Sequence, residues 1–272
     1  MKQAPVAPGL ELEYEVRGSG DPVLLIHAGV CADFFAPLMD QPALTDRHTV
    51  VRHHRVGYAG SDGLDGAISF GDQAAHCLAL MAHLGIERAH VVGHSSSASM
   101  ALQLALDAPA AVRSLALLDP ARPAEPTPAH VGMVETIVKP SLERYTAGDV
   151  EGAVDTWMRG VCGDAYQADL EAAIPGAIGR AVADGHTFFA QELPAVMAWS
   201  FGREDAARID QPALAVVGED SIPVFHERRD LLLDWLPNAE PFELRGATHL
   251  LHVQNPGGMA EALSGFFARH PG

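Results

Sequence analysis

Cysteine is scarce in this chain: Cys31, Cys77 and Cys162 are the only three in 272 residues. They are odd in number, far apart and without metal-ligand spacing. Neither a disulfide framework nor a metal site is expected, and the chain reads as cytoplasmic. Positive charge is also thin. Eighteen Lys and Arg stand against 35 Asp and Glu, a formal net charge of −17, and no basic cluster offsets it. Such a surface repels phosphate backbones and anionic headgroups, so no nucleic acid and no membrane is expected as partner. The acidic excess serves solubility. No apolar run approaches the ~20 residues that span a bilayer, and Met1 to Pro8 lacks the apolar centre of a signal peptide. No internal repeat and no low-complexity tract is found.

What the chain does have is apolar side chains, 48% of its residues, enough to cover both faces of a buried sheet. Leu10 to Arg17 alternates apolar and polar residues like a half-exposed strand, and Gly18 to Pro22 is a turn. Val23–Ile26, Thr49–Val51, Ala89–Val92, Val112–Leu118 and Pro212–Val217 read as buried strands, and Glu240–Leu244 as a last one. Between them, Ser69–Leu84, Ser96–Asp107, about Val224–Leu236 and Gly257–His270 have helical spacing, with Gly85 a C-terminal cap. This alternation predicts an α/β fold, a mostly parallel central sheet flanked by helices. From Ala121 to Ile209 the strand signal stops. Helical patches at 131–146, 150–161, 165–183 and 187–201 predict a helical cap, residues 121–209, inserted into a core of 1–120 and 210–272.

Chemistry concentrates at Val91-Val92-Gly93-His94-Ser95-Ser96-Ser97, which passes from strand to helix. A turn this sharp strains its central residue and lifts that side chain above the sheet. Three serines compete for the position, but only Ser95 has Gly two residues before it. Ser97 stands where a second Gly is usual. The plain alternative for any of them is a helix N-cap serine.

Three further segments fit one pattern: His27-Ala28-Gly29, Arg55-Val56-Gly57-Tyr58-Ala59-Gly60-Ser61, and Gly246-Ala247-Thr248-His249. With the serine turn they resemble, in order and spacing, the α/β-hydrolase family, from Leu10 to the C-terminus. The resemblance implies that Ser95 is a nucleophile and that backbone N–H groups of Gly29 and Ser96 form its oxyanion hole. It also implies that His249, on a loop over the nucleophile, is the base; an imidazole titrates near working pH and can take and return a proton. Of fourteen histidines, His53, His54, His76, His83 and His90 are assigned surface or supporting roles, and His252 a packing role. A metal pair of His249 and His252 lacks a third ligand, so no metal is expected.

The acid stays open. The family usually places it three residues beyond Gly218, where this chain has Ser221. Asp119, directly after the strand that follows the nucleophile helix, is preferred. Asp220, with Glu219 beside it, is the alternative, and a site without a functional acid is a third option. Acid placement at Asp119 resembles zearalenone-type lactonases and some haloalkane dehalogenases.

The expected activity is a cofactor-free carboxylic-ester hydrolase, leaning to a lactonase, on a small, largely apolar substrate. Trp157, Tyr166, Phe188, Phe189, Trp199 and Phe201, with Met133, Met158 and Met197, supply apolar surface in the insertion, and no Arg or Lys stands out as a carboxylate clamp. Two other classes compete: a ligand-binding protein on the same fold, and a cofactor-free oxygenase or lyase with His249 as base. Halide-releasing dehalogenation needs a carboxylate where the chain has Ser95. A monomer or homodimer is expected.

Overall fold

The structure, a computed structural model, describes residues 1–121 and 127–271. Residues 122–126, which fall inside the expected insertion, and residue 272 lie outside the described residues. Eight strands form one sheet: β1 (Lys2–Ala7), β2 (Leu10–Arg17), β3 (Asp21–Ile26), β4 (His48–His53), β5 (Ala89–His94), β6 (Val112–Leu118), β7 (Ala213–Gly218) and β8 (Ala239–Leu244). Their order is β1-β2-β4-β3-β5-β6-β7-β8. β1 and β2 pair antiparallel, as do β2 and β4, and every other pairing is parallel.

The continuous apolar runs follow from burial on both faces. In β3, Leu24 and Ile26 pack with Met81 and Leu104 on one side, while Val23 and Leu25 pack with Leu263 and Phe267 on the other. β6 divides in the same way, Leu115 and Leu117 against Ala116 and Leu118. The helix Phe70–His83 starts on a capping box of Ser69 and Asp72, and Gly85 takes the left-handed φ of 69° just past its end. β1 carries no strand signal. Pro5 interrupts it and only Ala4 is buried in its outer half. An edge strand tolerates proline, because its outward face needs no ladder hydrogen bond; the register slips between Pro5 and Ala7.

Chain order places the site. β3 and β5 are neighbours, but the chain leaves β3 for β4 on one side and β5 for β6 on the other. The loops after β3 and β5 therefore diverge at the C-terminal edge of the sheet and leave a crevice there.

Between β6 and β7 every described element is helical. Two stretches, Val134–Val138 and Thr187–Glu192, are π-wound, closed by Lys139 N–H to the Val134 carbonyl and Leu193 N–H to the Phe188 carbonyl. Pro140 and Pro194 follow directly. Proline has no N–H and its ring crowds the carbonyl four residues back, so a widened turn accommodates it. The helices expected at 131–146 and 187–201 therefore each run on through a π-wound turn, and the second ends at Ala198. The expected helix at 165–183 divides at Pro175-Gly176, where Gly176 has φ 78°. The helical segment packs Met158, Phe188 and Leu193 against Ala28, Phe34, Phe225 and Leu250, over the C-terminal edge of the sheet. Among the described residues no helix is long and apolar enough to cross a membrane.

Candidate active site

Ser95 sits between β5 and the helix Ser96–Asp107 with φ 56° and ψ −120°, a region non-glycine residues rarely adopt. The surroundings hold it there: its N–H donates to the Leu118 carbonyl at 2.8 Å, and its carbonyl accepts the Ala121 N–H at 3.0 Å. A Cβ on Gly93 would overlap the Ser97 carbonyl, so the turn closes only with glycine there. Ser97 stands in the place of the second glycine. It is buried, and its hydroxyl donates to the His27 carbonyl, tying the turn to the loop after β3.

Asp119 follows β6 directly, also at positive φ, 41°. Its N–H donates to the Val216 carbonyl at 2.9 Å. The carboxylate is fully buried. Oδ1 accepts the Gly218 N–H at 3.1 Å; Oδ2 accepts the Ser221 hydroxyl at 2.7 Å and His249 Nδ1–H at 2.9 Å. Asp220 and Glu219 are exposed, and Glu219 accepts the Gly246 N–H at 2.9 Å. The carboxylate brought to the imidazole is therefore that of Asp119, and the residue at position 221 serves it as a donor.

His249 lies in the loop after β8, its ring stacked on Phe225 at 4.1 Å between centroids and 8° between planes. Burial, with the Arg228 charge, holds its pKa down to about 3. Burial pushes the Asp119 carboxyl up to about 7, against the downward pull of the Ser221 and Gly218 donors. Both shifts disfavour a charged imidazole. Nδ1 donates to Asp119, so Nε2 carries the lone pair that a general base needs.

The loop after β3 is held just as closely. His27 Nδ1–H donates to the Ala28 carbonyl at 2.6 Å and Nε2 accepts the Arg55 N–H at 2.9 Å. A Cβ on Gly29 would overlap the Phe188 ring. The Ser96 N–H heads a helix and so has no partner within it.

Ser95, Ser96, Gly29 and His249 share one cavity of about 130 Å³. Of the aromatics that supply apolar surface in the insertion, Trp157 and Phe188 reach it, together with Met133, Met158 and Met197. Tyr166 and Phe189 pack inside the helical segment, and Trp199 and Phe201 stack on each other against the main core. Two polar lining residues were not anticipated. Arg228 and His130 stand in the wall, with Arg228 Nη2 2.9 Å from His130 Nδ1. A cation therefore faces the cavity, contrary to the sequence reading. Its helix, Pro223–Trp235, gives no local sign of which face meets the crevice.

The other histidines are mostly interior. Of the five assigned surface or supporting roles, His83 alone is exposed. His90 stacks on Phe267 at 4.3 Å and shares a 2.7 Å hydrogen bond with Ser114 Oγ; it fills core volume as a neutral ring. His54 lies between Glu13 and Asp33, at 2.9 and 3.0 Å. His252 stacks on Phe35 at 4.3 Å. Glu192, buried beside Ser96, has no sequence signal at all.

Comparison with known proteins places the fold. A family model described as the alpha/beta hydrolase fold matches residues 21–256. The carbamate hydrolase RutD of Azorhizobium caulinodans is 27% identical over 260 residues, 94% of each chain. The enol-lactonase of Burkholderia xenovorans LB400 superposes with a TM-score of 0.83 at 20% identity, over 98% of this chain and 100% of that one. A thermophilic esterase from Thermogutta terrifontis superposes with a TM-score of 0.83 at 18% identity, over the whole of both chains. At such identities the structural likeness speaks for the fold, and the family model covers most of the sequence: the chain belongs to the α/β-hydrolase fold family.

Proposed function

We propose that the protein is a cofactor-independent serine hydrolase that cleaves a small, largely apolar carboxylic ester or lactone through an acyl-enzyme on Ser95. The observation that carries this is the 2.9 Å bond from His249 Nδ1 to buried Asp119, with His249 and Ser95 lining one largely apolar cavity. In this reading Nε2 of His249 takes the Ser95 proton as Oγ attacks the carbonyl carbon, and Asp119 orients the imidazole and stabilises its cation. The N–H groups of Gly29 and Ser96 receive the oxyanion. Collapse breaks the carbon–oxygen bond, and the leaving alkoxide takes the proton from His249. Water then repeats the sequence on the acyl-enzyme and frees Ser95. The insertion expected at residues 121–209 acts as a cap, the apolar side chains of its described helices excluding solvent, and a protein with three buried, unbridged cysteines suits the cytoplasm.

The names of similar proteins, a carbamate hydrolase, an enol-lactonase and an esterase, suit attack on an acyl carbon. The reading is tested with a fluorophosphonate probe. Stoichiometric labelling of the peptide carrying Ser95, with matching loss of p-nitrophenyl ester hydrolysis, is expected. No labelling, combined with tight binding of an apolar ligand, would leave a binding protein instead.

A further inference from the structure

A buried ion pair beneath the serine turn takes no part in the steps above. Arg55 and Glu192 are each almost wholly buried, with Arg55 Nη2 2.7 Å from Glu192 Oε2. Taking two ions out of water is costly, and apolar side chains of the same volume fill such a space with less penalty. The partners of the pair show what it holds.

Arg55 faces the loop after β3. Its Nε donates to the His27 carbonyl at 3.0 Å, its backbone N–H to His27 Nε2 at 2.9 Å, and its Nη1 to Gln73 at 2.7 Å. Gly29 is two residues beyond His27. Glu192 faces the serine turn. Oε1 accepts the Ser96 hydroxyl, and Oε2 accepts the Tyr58 hydroxyl beside Arg55. Oε1 also lies 2.9 Å from where a Cβ on Gly29 would stand. One half of the pair thus grips the loop that carries Gly29, and the other grips Ser96 itself. The halves come from different parts of the chain. Arg55 follows β4, whereas Glu192 ends the π-wound turn of the helical segment, which is seated by Thr187 Oγ1 donating to the Gly57 carbonyl at 2.7 Å.

We propose that Arg55 and Glu192 are positioning residues of the oxyanion hole: together they set the spacing of the Gly29 and Ser96 N–H groups, and they complete it only when the helical segment is seated. This rests on the reading that those two groups receive the oxyanion. Such donors work only when held close to where the charge develops. A lone carboxylate so near a developing anion would oppose it, and the guanidinium of Arg55 cancels that charge.

The test compares wild type, Ser96→Ala, Glu192→Gln, the double variant and Ser95→Ala. Active sites are counted by fluorophosphonate titration, p-nitrophenyl butyrate is the substrate, and phenylboronic acid is the tetrahedral probe. Ser96→Ala is expected to lower kcat per active site about ten-fold and to weaken phenylboronic acid by a similar factor, with KM within about two-fold. Glu192→Gln, which leaves Arg55 without its counter-ion and gives Ser96 and Tyr58 an amide in place of a carboxylate, should do the same or more, and the double variant no more than Glu192→Gln alone, since Ser96→Ala acts through Glu192. Values of kcat and phenylboronic acid affinity within about two-fold of wild type for Ser96→Ala would overturn the proposal, and so would losses that multiply in the double variant. If Glu192→Gln fails to fold, Ser96→Ala decides alone. An active Ser95→Ala removes the acyl-enzyme reading and this inference with it; an inactive Ser95→Ala beside unaffected Ser96→Ala and Glu192→Gln removes the inference only.

Discussion

Ser221 donates its hydroxyl to Asp119 Oδ2 at 2.7 Å. The position where the family usually carries its acid thus supports a carboxylate arriving from the neighbouring strand. Asp119→Asn keeps the volume but offers His249 the wrong hydrogen-bonding partner, and kcat/KM for p-nitrophenyl butyrate should fall by about 10³- to 10⁴-fold. Ser221→Ala removes one of the donors to Asp119 and should cost about three- to ten-fold. Asp220→Asn, at an exposed carboxylate, should stay within about two-fold of wild type. A larger loss for Asp220→Asn than for Asp119→Asn would reverse the assignment of the acid.

Gly93→Ala should prevent the serine turn from closing, because the added Cβ would meet backbone, the Ser97 carbonyl, rather than a movable side chain. A loss of stability of about 2–3 kcal/mol is expected, read from urea unfolding midpoints at constant slope. Fluorophosphonate labelling of Ser95 should fall with it. A variant as stable and as quickly labelled as wild type would show that the turn has slack the geometry does not suggest.

Phe225 lies flat on the His249 ring. Phe225→Leu keeps most of the apolar volume but removes the planar surface that sets the orientation of the imidazole. The expected result is a kcat lowered about ten-fold for a stability cost below about 1.5 kcal/mol. An unchanged kcat would mean that Asp119 alone orients the ring.

Acid should destabilise the protein early. Burial holds His27, His94 and His252 well below the ordinary imidazole value, and His53, His90 and His249 down to about 3. Their folded pKa values lie below their unfolded ones. The stability linked to them is complete above about 6.5, the unfolded value, and is lost as pH falls towards the folded values. Below 6.5 the unfolded chain binds protons that the folded one refuses, and each such site can remove about 1.4 kcal/mol per pH unit. The raised carboxyls of Asp119 and Asp184 act in the opposite sense, with fewer protons. Urea midpoints measured from pH 7.5 to 5.0 should therefore decline steadily and steepen towards the acid end. A flat profile over that range would contradict the burial of these rings.

The parts of the fold legible in sequence are those where one local rule dominates. Val23–Ile26 and Val112–Leu118 are apolar throughout because both faces of their strands are covered. The serine turn is legible because Gly93 is required by a contact four residues away. β1 is illegible because an edge strand with Pro5 needs neither alternation nor a full ladder. The site divides in the same way. Ser95 and His249 stand in segments with fixed spacing, and Asp119 could be ranked first because Ser221 cannot serve as the acid. Glu192 and Arg228 come from helices whose orientation is set by tertiary packing, so nothing local marks Glu192 as the partner of Ser96 or Arg228 as part of the cavity wall.

The central claim is that Ser95 carries the acyl group. The direct measurement is turnover of a panel of p-nitrophenyl esters and lactones by wild type and Ser95→Ala, with the folded state of the variant checked by its urea midpoint. The account predicts hydrolysis of short, apolar substrates by wild type and a loss of at least about 10³-fold in Ser95→Ala at unchanged stability. Turnover by a folded Ser95→Ala comparable to that of wild type would contradict it, and would leave His249 acting as a base without an acyl-enzyme.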